Sequence, residues 1–435
     1  MTPRLTRRRF LAASSVALAA PMFVRARNAN EKVSLAVIGV TNRGAANLAG
    51  VADENVVALC DVDESNAAAA RRQFPKATFV TDYRKLFDKA ASTFDAVVVS
   101  TPDHNHCLPA MIGMTLGKHV YCEKPLAHSV NEVRLMRQTA IMGKRVTQMG
   151  TQIHAGENYR RVVEIVQSGV LGPIKRVHVW NSSGPVGGKK TRTAPSAKFD
   201  LDLWLGPAPV EFFEVKVDKP GNYTWPQFHW RWWWEFGGGT LADLGCHYID
   251  LPFWALGLSV PTTIAATGKK TYSGDNDVPD EMRVDYHFPP VANQPGVHLT
   301  WSHGVTGVDP EGKETYPGFG SAVLFEGEKG KLVADYGKYK LLPEEFAKDF
   351  KPPPVTIPPS LGHHKEWLEA IRTGGKTTCN FDYSGVLAET VLLGNVAYRA
   401  GKELTWDSKN GKTNVSAADV FLGREYRKGW ELPRG

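Results

Sequence analysis

The sequence is poor in cysteine, with five in 435 residues, and Cys60, Cys107, Cys122, Cys246 and Cys379 share no paired short spacing. An odd number so spread excludes a disulfide framework and a cysteine zinc cluster. Cys60 and Cys122 close apolar, strand-like runs and read as buried thiols that pack as small hydrophobes. Long apolar runs are missing too: no stretch reaches the ~20 residues a bilayer requires. No lysine/arginine stripe lies along a helical pattern, so the charge signature of a nucleic-acid binder is absent. Internal repeats are also absent. What remains has an ordinary globular composition, and at about 150 residues per domain the length suits two or three domains.

Acidic residues are lacking in one place. The first 26 residues have none but carry Arg4, Arg7, Arg8, Arg9 and Arg25. Without that segment the formal charge of +7 would fall to about +2, so the basic balance says little about partners. Thr6-Arg7-Arg8-Arg9-Phe10-Leu11 leads into a largely apolar stretch from Leu11 to Phe23 and then Val24-Arg25-Ala26, a small-residue cleavage site. The segment, 1–26, resembles a twin-arginine signal peptide. It implies passage of a folded chain through the twin-arginine machinery to the periplasm or another extracytoplasmic location.

From Val33 to Gly150 short apolar runs alternate with helical periodicity. The runs are Val33 to Ile38, Val56 to Cys60, Ala96 to Ser100, His119 to Cys122 and Arg145 to Met149. This rhythm predicts a doubly wound parallel sheet over 33–150. After Gly150 it changes. A helix over Glu157 to Gln167 and a strand over Ile174 to Trp180 precede a Gly/Pro/aromatic stretch that runs to Gly239. A helix near Thr240 to Ala255 follows, then strands between about Thr262 and Leu342, among them Arg283 to Phe288 and Gly296 to Trp301. Few helical crossovers separate them, so 151–435 reads as an α/β domain with an open, largely antiparallel sheet. Two last helices, near His364 to Arg372 and Ser384 to Arg399, are placed to pack back on one of the domains.

Gly39-Val40-Thr41-Asn42-Arg43-Gly44 follows the first strand and opens a helix, the setting of a dinucleotide fingerprint. Thr41 stands where the pattern has its middle glycine, yet the helix N-terminus still offers N–H groups and a favourable dipole to pyrophosphate. Asp61 ends the second strand 22 residues after Gly39, where a carboxylate accepts hydrogen bonds from an adenosine ribose and repels a 2′-phosphate. NAD is therefore expected rather than NADP. Thr101-Pro102-Asp103-His104-Asn105-His106 follows the next strand at the same edge, its histidines either touching cofactor or capping the helix from Leu108. Glu123-Lys124-Pro125 ends the run His119 to Cys122. Ligands of open parallel sheets bind at the carboxyl ends of strands, so Lys124 can face a nicotinamide and a substrate hydroxyl together.

Those three motifs and Gly237-Gly238-Gly239-Thr240-Leu241-Ala242-Asp243-Leu244-Gly245-Cys246-His247 resemble the glucose–fructose oxidoreductase, inositol dehydrogenase and rhizopine-catabolism (Gfo/Idh/MocA) family over roughly residues 33 to 400. The resemblance implies a Rossmann domain followed by an open-sheet α/β domain, and an NAD(P)-dependent enzyme acting on sugars or cyclitols. It assigns cofactor contacts to Gly39, Thr41, Asn42, Arg43, Gly44, Asp61, Thr101, Pro102, His106, Glu123, Lys124 and Pro125, and catalysis to Lys124, Asp243 and His247. It also implies a homo-oligomer formed through the second domain's sheet.

Asp243 and His247 are four residues apart on one helix face. A carboxylate there can orient the imidazole and favour its charged form, and the histidine can exchange a proton near neutral pH. The resemblance has His247 remove the hydroxyl proton while Lys124 stabilises developing negative charge; a lysine against apolar strand ends can also serve as the base. Asp250 extends the same face, but a metal would need further ligands that the sequence does not indicate, so none is expected. Trp225, Trp230, Trp232, Trp233 and Trp234 surround Arg231. Trp230 and Arg231 are candidates for a sugar-binding wall, with core packing as the competing use of the aromatics. His154 and Tyr159 are further substrate-cleft candidates, with Arg160 beside them. An exported enzyme has no free nicotinamide pool, so NAD is expected to be tightly held and regenerated in place. The same residues also suit a glycoside-cleaving or epimerising enzyme that oxidises its substrate only transiently.

Overall fold

The computed structural model describes residues 31–184, 188–191, 198–208, 214–217, 229–291, 294–304 and 316–432, with backbone alone for 188–191 and 214–217. The arginine-rich leader and Trp225 lie outside these residues. Six strands form the first sheet: β1 (Ser34–Ile38), β2 (Asn55–Cys60), β3 (Thr78–Val80), β4 (Ala96–Val99), β5 (His119–Cys122) and β6 (Thr147–Met149). All pair in parallel, in the order β3-β2-β1-β4-β5-β6. Every residue of β4 is fully buried, as expected where helices cover both faces of a parallel sheet. Those helices are α1 (Arg43–Gly50), α2 (Ala68–Gln73), α3 (Tyr83–Ala90), α4 (Cys107–Thr115) and α5 (Val130–Gly143). Ser129 starts α5 with a capping box, its hydroxyl accepting from Glu132 N while the Glu132 carboxylate accepts from Ser129 N. Strand order reverses between β1 and β4, which opens a crevice at their carboxyl ends. The edge strand β3 was not foreseen; three residues carry too little periodicity to read.

The second region begins with α6 (Glu157–Gln167) and β7 (Ile174–Asn181) and includes the pair β8 (Gly188–Thr191) and β9 (Glu214–Val217), with α7 (Leu201–Leu205) between them. Two helices, α8 (Gly239–Tyr248) and α9 (Asp250–Leu256), stand where one was expected over Thr240 to Ala255. Pro252 has no N–H to donate to the Tyr248 carbonyl, so the helical ladder breaks at Ile249. There follow β10 (Thr263–Lys269), β11 (Glu281–Phe288), β12 (Val297–His303), β13 (Ala322–Gly327), β14 (Lys331–Ala334), β15 (Tyr339–Leu342), α10 (Glu344–Lys348), α11 (His363–Thr373), α12 (Phe381–Ala400), β16 (Leu404–Asp407) and β17 (Lys412–Thr413).

Nine strands join in the order β15-β14-β13-β7-β12-β11-β10-β16-β17, antiparallel except where β7 meets β12. The C-terminal helices tie the two regions together. Trp367 of α11 is fully buried in the cluster that holds Leu35, Val37 and Val98 of the first sheet. α12 is buried on nearly every side, the pattern of a helix sheathed by protein. Among the described residues no helix is long and apolar enough to cross a membrane, and all five cysteines are buried and free.

Candidate active site

The turn after β1 tolerates only glycine at two places. Gly39 has φ +81°, and a Cβ on it would stand 2.6 Å from the Ser100 carbonyl oxygen. A Cβ on Gly44 would stand 2.1 Å from the Gly39 carbonyl oxygen. The other position of positive φ is Asn42, at φ 51° and ψ −116°; asparagine is among the few non-glycine residue types found at positive φ. Thr41 therefore needs no positive φ, which explains how the turn forms without its middle glycine. No side chain caps α1 and no acid sits in its first turn; the Gly44 and Ala45 amides bond back to the Thr41 and Asn42 carbonyls, so what the helix start offers an anion is its dipole, with exposed Arg43 beside it. Asp61 closes the neighbouring edge, accepting from Val40 N at 3.1 Å and Asp63 N at 3.0 Å. Burial pushes its carboxyl upward against these two bonds. Bent backbone, bare helix start and carboxylate together fit a dinucleotide.

Glu123 turns inward. Its Oε1 accepts from Asn47 Nδ2 at 2.9 Å and from Gln152 Nε2 at 2.8 Å. Asn47, on α1, also donates to Ser100 Oγ at 2.9 Å. His364 Nε2 donates to Asn47 Oδ1 at 3.0 Å, and its ring stacks on Tyr121 at 4.9 Å. Burial pushes the Glu123 carboxyl up while Asn47 and Lys124 pull it down. The glutamate thus fastens the helix behind the glycine turn to the lysine motif. Nothing in the sequence pointed to Asn47, Gln152 or His364.

Next to it the Lys124 ammonium donates to Asp243 twice, to Oδ1 at 2.5 Å and to the carbonyl oxygen at 2.6 Å. Arg231 Nε reaches the same Oδ1 at 3.0 Å, and its guanidinium lies 4.3 Å over the Trp230 ring. The two cations hold the Asp243 carboxyl well below the usual carboxylate range, against the opposing effect of burial. Lysine, aspartate and arginine thus join the end of β5 to α8 across the two regions. Asp103 completes the group: burial pushes its carboxyl up to about 8, aided by the charges of Asp243 and Glu123 and opposed by Lys124 and Arg231. It is an acid that keeps its proton near neutral pH, a product of burial that its sequence neighbours do not show.

His247 lies one turn on from Asp243, partly exposed, but the expected pairing does not form because the carboxylate is held by the two cations. Burial and the Lys124 charge lower His247 to about 3, outweighing Asp243. The imidazole is therefore neutral, and its Nδ1 has no partner among the described residues. Tyr159 is fully buried beneath it and donates to the His247 carbonyl at 3.2 Å. It supports the site from inside and forms no part of a substrate wall. Tyr336, which the sequence reading missed, is 38% exposed; its ring centre lies 6.4 Å from that of His247 and stacks on Tyr248 at 4.7 Å.

Other expected residues are engaged elsewhere. His154 is buried, donates from Nδ1 to Asp250 at 2.9 Å and stacks on Trp254 at 4.1 Å. Tyr383 donates to the same carboxylate at 2.7 Å. Asp250 starts α9 and so leaves the Asp243–His247 face. Arg160 donates to the Pro358 carbonyl at 2.9 Å. Trp230 and Trp233 are buried in a cluster with Trp204 and Phe236, so packing claims them. His106 is buried with Nε2 on the Thr101 carbonyl at 2.7 Å, and burial lowers it to about 3; it braces the loop, with Thr101 and Pro102 partly exposed at the crevice edge. The Lys124–Pro125 bond is cis. Among the described residues no cluster suits a metal ion.

Two family models match the chain. One, described as the NAD-binding Rossmann fold of the Gfo/Idh/MocA oxidoreductase family, covers residues 33–151; the other, its C-terminal alpha/beta domain, covers 155–432. Among curated proteins, inositol 2-dehydrogenase 1 of Saccharopolyspora erythraea is 32% identical over 34% of this chain and 44% of its own length. The chain thus matches less than half the length of that relative. Among solved structures, the WlbA dehydrogenase of Bordetella pertussis in complex with NADH and UDP-GlcNAcA superposes with a TM-score of 0.60 at 16% identity, covering 87% of this chain and 99% of that one. The aldose–aldose oxidoreductase of Caulobacter crescentus, complexed with glycerol, does so with a TM-score of 0.55 at 16% identity over 86% and 100%. Identity at that level shows a shared fold.

Proposed function

The chain belongs to the Gfo/Idh/MocA oxidoreductase family, and on that premise we propose that it is an exported, NAD-dependent enzyme that oxidises a hydroxyl of a sugar or cyclitol. One observation carries the reading: a lysine held by a half-buried aspartate stands with a neutral histidine at the carboxyl edge of a dinucleotide-binding sheet. Bound NAD supplies a nicotinamide ring that accepts hydride from the substrate carbon. A neutral imidazole is the form able to take the hydroxyl proton, so His247 is the base. Lys124 donates a hydrogen bond to the same oxygen and stabilises its developing negative charge. Asp243 fixes the direction of the ammonium, and Arg231 locks Asp243 in turn. Asp103, protonated near neutral pH, adds no negative charge beside the reacting oxygen. Tyr336 offers an exposed aromatic face on which the C–H face of a ring polyol can stack.

Asp61 supports NAD over NADP, since a 2′-phosphate would meet a carboxylate already bonded to Val40 and Asp63. The twin-arginine leader supports export, and export supports a tightly held cofactor regenerated by a second substrate. The curated relative is an inositol dehydrogenase and one structural neighbour an aldose–aldose oxidoreductase, which favours a polyol substrate. A second copy is expected to dock on the open face of the nine-stranded sheet. The test is to purify the chain, look for reduced-nicotinamide absorbance, and assay a panel of sugars and cyclitols with Lys124→Ala and His247→Ala in parallel. Loss of turnover in both variants is expected. Undiminished turnover in both, or a chain that neither holds nor responds to NAD, refutes the reading.

A further inference from the structure

One described segment, Lys198 to Ala208, belongs by sequence to the second region yet is stitched to the first sheet at two separate loops. At one end it pairs with the loop after β2, next to Asp61: Glu64 N donates to the Lys198 carbonyl at 3.0 Å and Asp200 N to the Val62 carbonyl at 2.9 Å, around an antiparallel bridge of Asp63 and Phe199. Asp200 then caps α7 by accepting from Leu203 N at 3.0 Å. At the other end α7 meets the loop after β4: His104 Nε2 donates to the Trp204 carbonyl at 2.8 Å, and the two rings lie 5.0 Å apart. The C-terminal tail fastens this end further, with Arg427 donating to the Gly206 carbonyl at 2.9 Å and pairing with Asp202.

Sheet order gives the segment its meaning. β2 and β4 flank β1 on either side, two strand spacings or about 10 Å apart, so the two anchors lie in loops that follow the strands on opposite sides of the glycine turn at Gly39 to Gly44. A chain tied down at both sides of that turn crosses the adenosine and pyrophosphate half of the crevice. We propose that Phe199 to Trp204 is a strap forming the outer wall of the dinucleotide site, so that cofactor leaves only when the strap lifts. The inference rests on the cofactor reading above and gives tight retention a physical cause: release must break two main-chain bonds at one end and the His104 and Arg427 side-chain bonds at the other, as well as the cofactor's own contacts. Val62 packs against the strap's aromatic cluster, so the residue following the ribose carboxylate is itself clamped.

The test is the rate of cofactor release. The parent chain, Trp204→Ala and Arg427→Ala are each loaded with NADH and mixed with a large excess of NAD. Loss of energy transfer from tryptophan to reduced nicotinamide is then followed. Release at least tenfold faster in either folded variant is the expected result, with the thermal midpoint of cofactor-free Arg427→Ala within about 2 °C of the parent. Arg427 is partly exposed, so its variant keeps the test decisive if Trp204→Ala does not fold. Release within twofold of the parent in every folded variant overturns the strap, as does a fall in the cofactor-free midpoint with unchanged release. A parent that never binds NADH overturns the cofactor reading instead, and is told apart by the loading step.

Discussion

Replacing Asp243 by asparagine keeps its shape and removes its charge, which leaves Lys124 and Arg231 facing each other without an anion. The three side chains are 12%, 16% and 17% exposed for Lys124, Asp243 and Arg231, so solvent screens little of the imbalance. Removing one partner of a buried pair costs about 3–5 kcal/mol. The low end applies here, because the asparagine oxygen can still accept from Lys124 and the 2.6 Å bond to the main-chain carbonyl survives. At roughly 2.1 cal/mol/K per residue, unfolding entropy for 435 residues is about 0.9 kcal/mol/K, so the midpoint should fall by about 3 °C. Turnover should fall further, by about 10²–10³ in kcat/KM, since the lysine loses the group that aims it. Circular dichroism melts and steady-state assays measure the two effects. Adding Arg231→Met to Asp243→Asn removes one uncompensated cation and should recover part of the stability, a coupling that a double-mutant cycle reads directly. A midpoint within 1 °C of the parent and activity within threefold would refute the claim that this carboxylate organises the site.

Asp61→Ser should lower the preference for NAD over NADP by roughly a hundredfold, about 2–3 kcal/mol, measured by comparing binding of the two cofactors. Gly44→Ala forces a Cβ to 2.1 Å from the Gly39 oxygen and should cost about 3 kcal/mol in urea unfolding and abolish NADH binding. Burial lowers His104, His106, His247 and His363 from 6.5 to about 3. Their contribution to stability is complete above pH 6.5 and is lost as pH falls toward 3, at about 1.4 kcal/mol per pH unit for each. Asp103, raised to about 8, acts oppositely, its stabilisation present at low pH and lost as pH rises through 8. Urea unfolding at pH 7, 6 and 5 should therefore show a steep acid loss with proton uptake.

The parallel sheet was legible because β1, β2, β4 and β5 are continuous apolar runs bounded by turn residues, and the crevice followed from their order. Lys124 and Asp243 could be brought together only through the family resemblance, since 119 residues separate them and no local pattern encodes that contact. The helix-face argument for Asp243 and His247 failed for a physical reason: an i,i+4 neighbour is worth a few tenths of a kcal/mol, less than two cations converging from another strand and loop. Pro252 stands inside the single helix expected over Thr240 to Ala255, and its missing N–H accounts for the break between α8 and α9. Asp103, Tyr336 and the strap were not legible, because a raised pKa, an exposed ring and a second-region segment folded over the first are products of tertiary packing.

The central claim is that a neutral His247 takes the substrate proton beside Lys124. It is tested by the pH dependence of kcat/KM, on whichever polyol the panel identifies, for the parent and His247→Ala. The account requires no break near pH 6.5 in the parent and a loss of at least about a hundredfold in the variant. A parent profile that bends at pH 6.5 and straightens in His247→Ala, or a variant within tenfold of the parent, contradicts it.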